Sequence, residues 1–399
     1  MSATRVDATI GNLISGGKPV FPLGLSDPPP VDGKTPSGGD AWAEIAGAGI
    51  NFARHYDPWS AGSAAEQVAN VHHKLDVAQA HGLQVWLALA GVDDTLANAK
   101  LLGEIVDAFK EHPGLGVWKG ADEPAHGGIA PAGLVAVHER VRALDPNHPL
   151  AIIEAPRNRN GVLTAAALKP YAAACDIHGV DIYPVSVPPG THAGRANTDI
   201  SVVGDVTRIV AAATPQRAIW TTLQIAWTGV LPPRHTVVFP TLQQARFMAY
   251  DAVIAGARGL FFFGGHLPHV MSAKDRVRGW NWTYWRRVQR PLAQELAGPQ
   301  HVEALLAPDA GFRLTADVPD IALSVRETAA SIYVIAVRRS ATASGLVRFR
   351  GLPPSVTAGT VLPHGPSNPP RPLAVRGGAF TDRSPYGPHN ARVYRFPKG

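Results

Sequence analysis

The sequence predicts an α/β protein that begins with a (β/α)8 TIM barrel and ends with a small antiparallel β-sandwich. Up to residue 298, short apolar runs alternate eight times with stretches of helical spacing, which is the count and order that a (β/α)8 barrel requires. The runs are almost continuously apolar, as expected for parallel strands that are covered on both faces. The structural alternative is an open doubly wound sheet, but no run is followed by the glycine-rich phosphate loop that such sheets often carry.

The predicted barrel strands are the eight apolar runs, at residues 19–25, 50–53, 83–90, 117–121, 150–153, 177–182, 218–223 and 259–263. Apolar residues recur every three or four positions in the segments that follow them. The predicted helices therefore cover residues 40–46, 64–81, 96–110, 132–144, 163–174, 198–213, 242–255 and 280–297.

The pattern changes after Pro299, where helical spacing gives way to short β-type runs separated by Pro-Pro, Gly-Pro and Gly-Gly turns. These runs lie at residues 322–326, 331–338, 345–350, 356–362 and 391–396. The sequence thus predicts a barrel domain over residues 1–298 and a β-sandwich accessory domain over residues 299–399.

Composition excludes several classes of protein. A hydrophobic content of 45% and a charged content of 17% are typical of a folded globular chain. The net charge of +6 is spread over scattered Arg and Lys residues, so we expect no nucleic-acid partner. No apolar run is long enough to span a membrane, so we expect no membrane partner. Cys175 is the single cysteine, which excludes an intramolecular disulfide.

The N-terminal segment bears on localisation. Residues 1–12 lack the basic and apolar segments of a signal peptide. We therefore expect either a secreted or periplasmic protein in its mature form or, if this N-terminus is native, a cytoplasmic one. Nothing in the sequence indicates an oligomeric state.

Polar side chains stand where the predicted strands end, which is the face of a parallel barrel that holds its chemistry. The most informative stretch is residues 116–124, where an apolar run ends in Asp122 and Glu123 and Pro124 stops the strand. Cleavage of a glycosidic bond requires two carboxyl groups, one to protonate the leaving oxygen and one to attack the sugar or activate water. The other strand-end residues are Arg54, His55, Tyr56, Asp57, Asp93, Asp94, Glu154, Asp181, Tyr183, Gln224, Trp227 and His266.

Five motifs carry a resemblance to a known group of enzymes, at residues 18–24, 48–54, 122–124, 181–184 and 385–394. They resemble the glycoside hydrolases of clan A, which combine a (β/α)8 barrel with, in many members, a C-terminal β-sandwich. The resemblance implies a carbohydrate substrate, no cofactor and no metal. It also implies that Glu123 is the general acid/base, that Asp122 binds a sugar hydroxyl and that Arg54 lies near the nucleophile.

The sequence departs from clan A at the end of the seventh strand, where Gln224 stands in place of the nucleophilic Glu. A neutral amide cannot form a glycosyl ester. Gln224 is either native, or an engineered replacement, or the mark of a barrel that binds sugar without cleaving it. We favour the first alternative, with Asp181 as the second carboxylate in an inverting mechanism and Glu154 as a third candidate. The expected substrate-binding residues are Arg54, His55, Tyr56, Asp122, Glu154, Tyr183, Gln224, Trp227, His266 and Trp282.

Two other functions compete with a glycoside hydrolase. A metal-dependent barrel hydrolase could use His55, Asp57, Lys119, His178 and His266, although the sequence has no His-x-His on the first strand and no His-Glu-x-x-His motif. A non-catalytic carbohydrate-binding barrel would account for Gln224. Glu123→Gln distinguishes this alternative, because it should lower the rate of hydrolysis by orders of magnitude and leave simple binding unchanged.

Overall fold

The computed structural model describes residues 3–60, 64–187, 190, 194–226, 237–365 and 367–398. Eight parallel strands form a closed barrel in which each strand pairs with its neighbours in sequence order and the eighth pairs with the first. The prediction of a (β/α)8 barrel is thus confirmed. The barrel strands are Leu23–Leu25, Phe52–His55, Gln84–Ala88, Leu115–Asp122, Leu150–Glu154, Ile177–Asp181, Ala218–Gln224 and Gly259–Phe263.

Helices fill the connections between the barrel strands, as the 3.6-residue periodicity predicts. The α-helices are Ala41–Gly47, Ala64–Ala80, Ala99–Phe109, Pro124–Gly127, Pro131–Leu144, Ala165–Leu168, Val202–Ala213, Leu242–Ile254, Ala273–Val277, Trp282–Tyr284, Arg290–Leu296 and Pro299–Leu306. Tighter or wider turns occupy Leu96–Asn98, Lys169–Ala174, Pro268–Val270 and Trp285–Gln289. Within the described ranges, no helix has the length and apolar character needed to cross a bilayer.

Two predicted elements are divided in the structure. The run at 19–25 forms two strands, Lys18–Val20 and Leu23–Leu25, because Phe21 and Pro22 turn the chain between an N-terminal hairpin and the barrel. The predicted helix at 163–174 becomes a short α-helix followed by the 3-10 turn Lys169–Ala174, which contains Pro170 near its start. Proline lacks the N–H that a continuous helix needs, which accounts for the break.

An N-terminal sheet that the sequence reasoning missed closes the lower end of the barrel. Its strands are Thr4–Val6, Leu13–Ser15 and Lys18–Val20, paired antiparallel. Leu13 is buried among barrel-lumen side chains that include Phe52, Trp86, Trp220 and Phe261. These large aromatic rings fill the lumen, so the chemistry of this barrel is confined to its upper, carboxyl-terminal end.

The C-terminal region contains the two antiparallel sheets that the sequence predicts. One has five strands, Ile321–Glu327, Ser331–Arg338, Ala391–Pro397, Ala358–Val361 and Arg371–Ala374, in that spatial order. The other has three strands, Thr315–Ala316, Arg348–Arg350 and Ala379–Thr381. Their facing side chains, among them Val334, Phe349, Phe380, Tyr394 and Phe396, form a separate apolar core.

The sandwich packs closely against the barrel. Tyr333, Ile335 and Val393 belong to the same buried cluster as the barrel helices. The Arg246 guanidinium, 2.7 Å from the Glu295 carboxylate, also donates a hydrogen bond of 3.1 Å to the Ala391 carbonyl. Helix Pro299–Leu306 lies between the last barrel helix and the first sandwich strand, Thr315–Ala316.

Candidate active site at the carboxyl end of the barrel

The end of the fourth strand has an irregular backbone. Lys119 pairs with Ala151 and Asp122 with Ile153, so one extra residue is accommodated on the fourth strand as a β-bulge. Glu123 follows with φ 48° and ψ 46°, the left-handed conformation that non-glycine residues seldom adopt. Such strain persists only where the surroundings enforce it, and it is concentrated at functional sites.

Glu123 and Asp181 form a hydrogen-bonded carboxyl pair. Glu123 is half-buried and Asp181, at the end of the sixth strand, is 8% exposed. Burial raises the pKa of Asp181 well above its ordinary value, and the charges of Glu123 and Asp122 add to this rise. Burial also raises the pKa of Glu123, partly offset by the hydrogen bond from Asp181. The pair therefore retains a proton over a range of pH in which isolated carboxyl groups are ionised, with Asp181 donating to the Glu123 carboxylate.

The contact between the two carboxyls bears on the expected mechanism. Retaining pairs are separated by about 5–5.5 Å and inverting pairs by about 6.5–9.5 Å, the longer gap holding a water molecule. Glu123 and Asp181 are instead in direct hydrogen-bond contact. This arrangement is nearer to a retaining pair than to the inverting pair that we expected.

Cationic groups lie on the other side of Asp122. The Lys119 ammonium is completely buried and lies 2.9 Å from the Asp122 carboxylate. Although burial opposes ionisation, Lys119 and Arg54 hold the pKa of Asp122 below its ordinary value. Lys119 and Arg54 also lie 5.4 and 5.3 Å from the centre of the half-exposed Tyr56 ring. Strand-end reasoning identified Arg54, Tyr56 and Asp122 but treated Lys119 only as a metal-ligand candidate.

Asp27 is a site residue that the sequence reasoning missed. Its carboxylate lies 3.5 Å from Arg54 and 3.2 Å from the ring of His266, so it joins the first, second and eighth strand ends. The Arg54 Nε also donates a hydrogen bond of 2.9 Å to the Ser26 carbonyl. Asp27 follows the first barrel strand by two residues, and the strand-end rule would have identified it.

Tyr183 and Asp93 complete the set of polar groups near the pair. The Tyr183 ring stacks on Phe263 with centroids 5.2 Å apart, and its hydroxyl donates a hydrogen bond to Asp181. Burial raises the pKa of Asp93 to about 6, although Lys119 opposes that rise. Asp93 also acts on Tyr56 electrostatically, which places it near the same group of side chains.

Gln224 occupies the position of the clan-A nucleophile but is used for structure. Its Oε1 accepts a hydrogen bond of 2.9 Å from the Val185 N–H, and its Nε2 donates one of 2.8 Å to the Val185 carbonyl. The side chain is 1% exposed. A carboxylate could not donate to the Val185 carbonyl, so the site is built for an amide. This observation supports a native Gln224 over an engineered one.

Three expected substrate-binding residues are buried and already have partners within the protein. Glu154 is completely buried and faces the helical layer, where it accepts a hydrogen bond of 3.0 Å from the Ala125 N–H. Trp282 is 1% exposed and packs edge-on against Trp280. Gln224 is saturated by Val185, as described above. Burial prevents these three side chains from contacting a substrate in this conformation, and Trp227 lies outside the described residues.

The proposed metal ligands do not converge. In the described part of the chain, no three His, Cys, Asp or Glu side chains are grouped as a metal site would require. His178 is completely buried in the barrel wall beside Glu154. His55 lies 3.2 Å from Asp57, and its pKa is lowered to about 4, chiefly by burial and then by Lys74. These residues do not fit a metal-dependent hydrolase.

A cavity of about 360 Å3 adjoins the site, lined by residues that include Asp27, Arg54, Tyr56 and His266. Its volume is typical of a small-ligand pocket. A larger cavity of about 1120 Å3 lies between the lower end of the barrel and the sandwich, and Asp309 is the only acid among its described lining residues. Glu123 and Asp181 are not among the described lining residues of the smaller cavity, which adjoins the carboxyl pair through Arg54 and Tyr56 at the same end of the barrel.

Comparison with known proteins agrees with this architecture. Neither a protein-family model nor a curated protein sequence matches the chain. Among solved structures, it is similar to a glycoside hydrolase with a TM-score of 0.69 and 13% identity, covering 100% of this chain and 97% of that one. A GH30 endoxylanase from Clostridium papyrosolvens gives a TM-score of 0.55 at 10% identity, covering 100% and 98%.

A family 39 glycoside hydrolase from Bacteroides cellulosilyticus gives a TM-score of 0.53 at 11% identity, covering 95% of this chain and 81% of that one. At these identities the likeness is one of fold, and it extends over the barrel and the C-terminal sheets together. The resemblance expected from the motifs is confirmed at that level: the chain has the fold of the (β/α)8-barrel glycoside hydrolases.

Proposed function

We propose that this protein is a glycoside hydrolase that cleaves an O-glycosidic bond of an oligo- or polysaccharide with the Glu123–Asp181 pair. The observation that carries the proposal is the hydrogen-bonded carboxyl pair at the carboxyl end of the barrel, in which both pKa values are raised. Because the two carboxyls share a hydrogen bond and the pKa of Asp181 is raised well above its ordinary value, the pair favours a state with Asp181 protonated and Glu123 ionised. A glycosidase needs this combination of an acid and a carboxylate.

The difference in exposure supports a division of roles within the pair. Glu123 is the more exposed carboxyl and delivers the proton to the leaving glycosidic oxygen, whereas Asp181 lies deeper and faces the sugar ring. The shared proton moves from Asp181 to Glu123 before the two carboxyls separate to admit the sugar, and Glu123 then delivers it to the oxygen as the carbon–oxygen bond breaks. Asp181 is left as a carboxylate, able to stabilise or bond to the anomeric carbon.

Hydrolysis is completed by water. In the retaining order, Glu123 takes a proton from water, the water oxygen bonds to the anomeric carbon, and the bond to Asp181 breaks. The two carboxyls must separate to about 5–5.5 Å to admit a sugar, which requires loss of their mutual hydrogen bond. The retaining order requires the smaller movement from the hydrogen-bonded pair, which supports it over the inverting order.

The surrounding polar groups bind the sugar. Asp122 is ionised because Lys119 and Arg54 lie beside it, so its carboxylate can accept hydrogen bonds from sugar hydroxyls. Tyr56 presents a half-exposed aromatic face at the same cleft, and sugar rings stack on such faces. His266, with 39% of its side chain exposed, contributes a further polar group at the rim.

The proposal is tested by Glu123→Gln, with Glu104→Gln as the matched control on an exposed helical surface. Xylan is the first substrate to assay because a GH30 endoxylanase shares the fold, followed by a panel of aryl glycosides and other polysaccharides. We expect E123Q to lower kcat by about 10²–10⁴-fold, the usual contribution of general acid–base catalysis, and E104Q to leave it unchanged.

The alternative is a barrel that binds carbohydrate without cleaving it. Gln224 at the seventh strand end is the observation in its favour. This alternative predicts that the unmodified protein binds glycans without turnover on any substrate, and that E123Q binds them equally well. That combination of results would exclude the hydrolase.

A further inference from the structure

We propose that Glu154 is a positioning residue that holds Glu123 in its strained conformation through the backbone of Ala125. The inference rests on the proposed function, since it assigns a role in the same site. Glu154 was expected among the substrate-binding residues, but its side chain points into the layer between barrel and helices. Its contacts there are with the segment that carries the acid.

Glu123 adopts its left-handed conformation at the start of the short helix Pro124–Gly127. Three hydrogen bonds fasten this turn to the end of the fifth strand and the hairpin after it. The Glu123 N–H donates to the Ile153 carbonyl at 2.7 Å, and the Ala125 N–H donates to Glu154 Oε2 at 3.0 Å. The Ala125 carbonyl accepts from the Arg159 N–H at 3.1 Å. The bond to Glu154 is the only one of the three that a side chain supplies.

Burying the Glu154 carboxylate has a free-energy cost, which indicates that the side chain has a specific role. The side chain is completely buried, and a carboxylate removed from water needs partners that replace its hydration. Oε2 has the Ala125 N–H, whereas Oε1 lies 3.5 Å from His178 Nε2 without a well-aligned hydrogen bond. His178 is itself completely buried. An apolar side chain would fill this space without such a cost, so the carboxylate is explained by the turn it holds.

The consequence for the site is geometric. Ala125 is two residues from Glu123, and the backbone between them fixes the direction in which the Glu123 side chain leaves the strand. If the bond to Ala125 is lost, the left-handed conformation is free to relax towards an ordinary one. Relaxation moves the Glu123 carboxyl away from Asp181 and breaks the pair.

The experiment compares Glu154→Gln with Glu154→Asp. Gln retains an oxygen at the same reach and can accept from the Ala125 N–H, but it lacks the charge. Asp retains the charge, but its carboxylate is withdrawn by one methylene group. Because the proposed role depends on the hydrogen bond, we expect E154Q to keep kcat within about threefold of the unmodified protein and E154D to lose at least tenfold, with little change in KM.

A second readout does not depend on turnover. With 13C-carboxyl-labelled Glu, the Glu123 signal is identified by its absence in E123Q, and its pKa is measured by NMR titration. We expect E154D to bring the Glu123 pKa down towards about 4.3, the value of an isolated Glu, and E154Q to leave it raised. If Glu154 has only a structural role, the Glu123 pKa should be the same in the folded E154D variant as in the unmodified protein.

The outcomes separate the two proposals. A displaced Glu123 titration in E154D, in a protein without turnover on any substrate, would support the positioning role and exclude the hydrolase. An E154D variant with unchanged kcat and unchanged Glu123 titration would overturn the positioning role. So would the reverse order, with E154Q more damaged than E154D, since it would show that charge matters and reach does not.

Discussion

The end of the seventh strand and the ends of the fourth and sixth strands face the same cleft but are built in opposite ways. At the seventh, Gln224 is neutral, buried and saturated by two hydrogen bonds to Val185. At the fourth and sixth, Glu123 and Asp181 are carboxyls that compete for one proton, and Glu123 adopts a strained backbone conformation. The seventh strand end stabilises the loop after the sixth strand. The fourth and sixth strand ends instead hold two carboxyls whose charges repel each other.

This difference identifies where chemistry is possible. The Gln224 amide does not titrate and carries no charge, so the seventh strand end supplies neither an acid nor a carboxylate. A buried carboxyl pair with raised pKa values destabilises the folded state at neutral pH, and such a cost is typical of functional sites. In clan A the seventh strand carries the nucleophile, whereas the function proposed above requires that the sixth strand carries it through Asp181.

The largest expected effect comes from removing the second carboxyl. Asp181→Asn should lower kcat by about 10²–10⁴-fold, as expected for E123Q, because each change leaves the pair without one of its two functions. The double variant should be no slower than the slower single variant by more than a few fold, since residues that act as one unit are not additive. Initial rates for all four proteins on one substrate give the measurement.

Multiplicative losses in the double variant would contradict this prediction. They would indicate that Glu123 and Asp181 act independently, with Asp93 or another carboxylate as the true partner of one of them. Folding of each variant is checked by circular dichroism before the rates are compared.

A smaller effect, on stability, is expected at the seventh strand. Gln224→Glu should lower the free energy of unfolding by about 1–3 kcal/mol near neutral pH, because an ionised carboxylate would face the Val185 carbonyl without a proton to donate. The protonated acid can donate that hydrogen bond, so the folded-state pKa of the new Glu is raised. Stability is therefore retained at low pH and lost as pH rises above about 4.3, the unfolded value. Urea unfolding at a series of pH values measures this loss.

Gln224→Met serves as the control, because it removes both hydrogen bonds without adding a charge. Its destabilisation should not depend on pH. A Q224E variant that is as stable as the unmodified protein and gains activity would show instead that the seventh strand retains the nucleophile site, and the contrast between the two regions would fail.

Much of the fold could be predicted because barrel strands and helices have local sequence patterns, namely apolar runs for the strands and 3.6-residue periodicity for the helices. Eight apolar runs identified the eight strands, although the run at 19–25 proved to be two strands separated at Pro22. The N-terminal sheet was missed because Thr4–Val6, Leu13–Ser15 and Lys18–Val20 are three residues each. Strands of that length carry no measurable periodicity, and their pairing depends on the barrel end that they cover.

The candidate site was predicted less completely. Strand-end position brought Arg54, Asp122, Glu123 and Asp181 together, because parallel strands end at one face. Strand-end position does not show whether Glu154 faces the barrel lumen or the helical layer, since that depends on the register of the closed barrel. It also gave no indication that Lys119, inside an apolar run, is the buried partner of Asp122. Direct contact between Glu123 and Asp181 follows from the bulge after Lys119, which has no local sequence signal.

The smallest expected effect is in the pH dependence of stability, and it isolates Asp181. Because the folded-state pKa of Asp181 is raised, the native protein binds more protons than the unfolded chain above about pH 3.9, and its contribution to stability falls as pH increases. Asp181→Asn removes this contribution together with the effect of Asp181 on the Glu123 pKa, while titrating groups outside the pair, such as His55, are shared by both proteins. The free energy of unfolding of D181N minus that of the unmodified protein should therefore increase from pH 4 to pH 8, by about 1.4 kcal/mol for each unit by which the Asp181 pKa is displaced. Urea unfolding curves for the two proteins provide this difference. A difference independent of pH would mean that the pKa of Asp181 is not raised. The hypothesis that Asp181 and Glu123 share a proton would then be wrong.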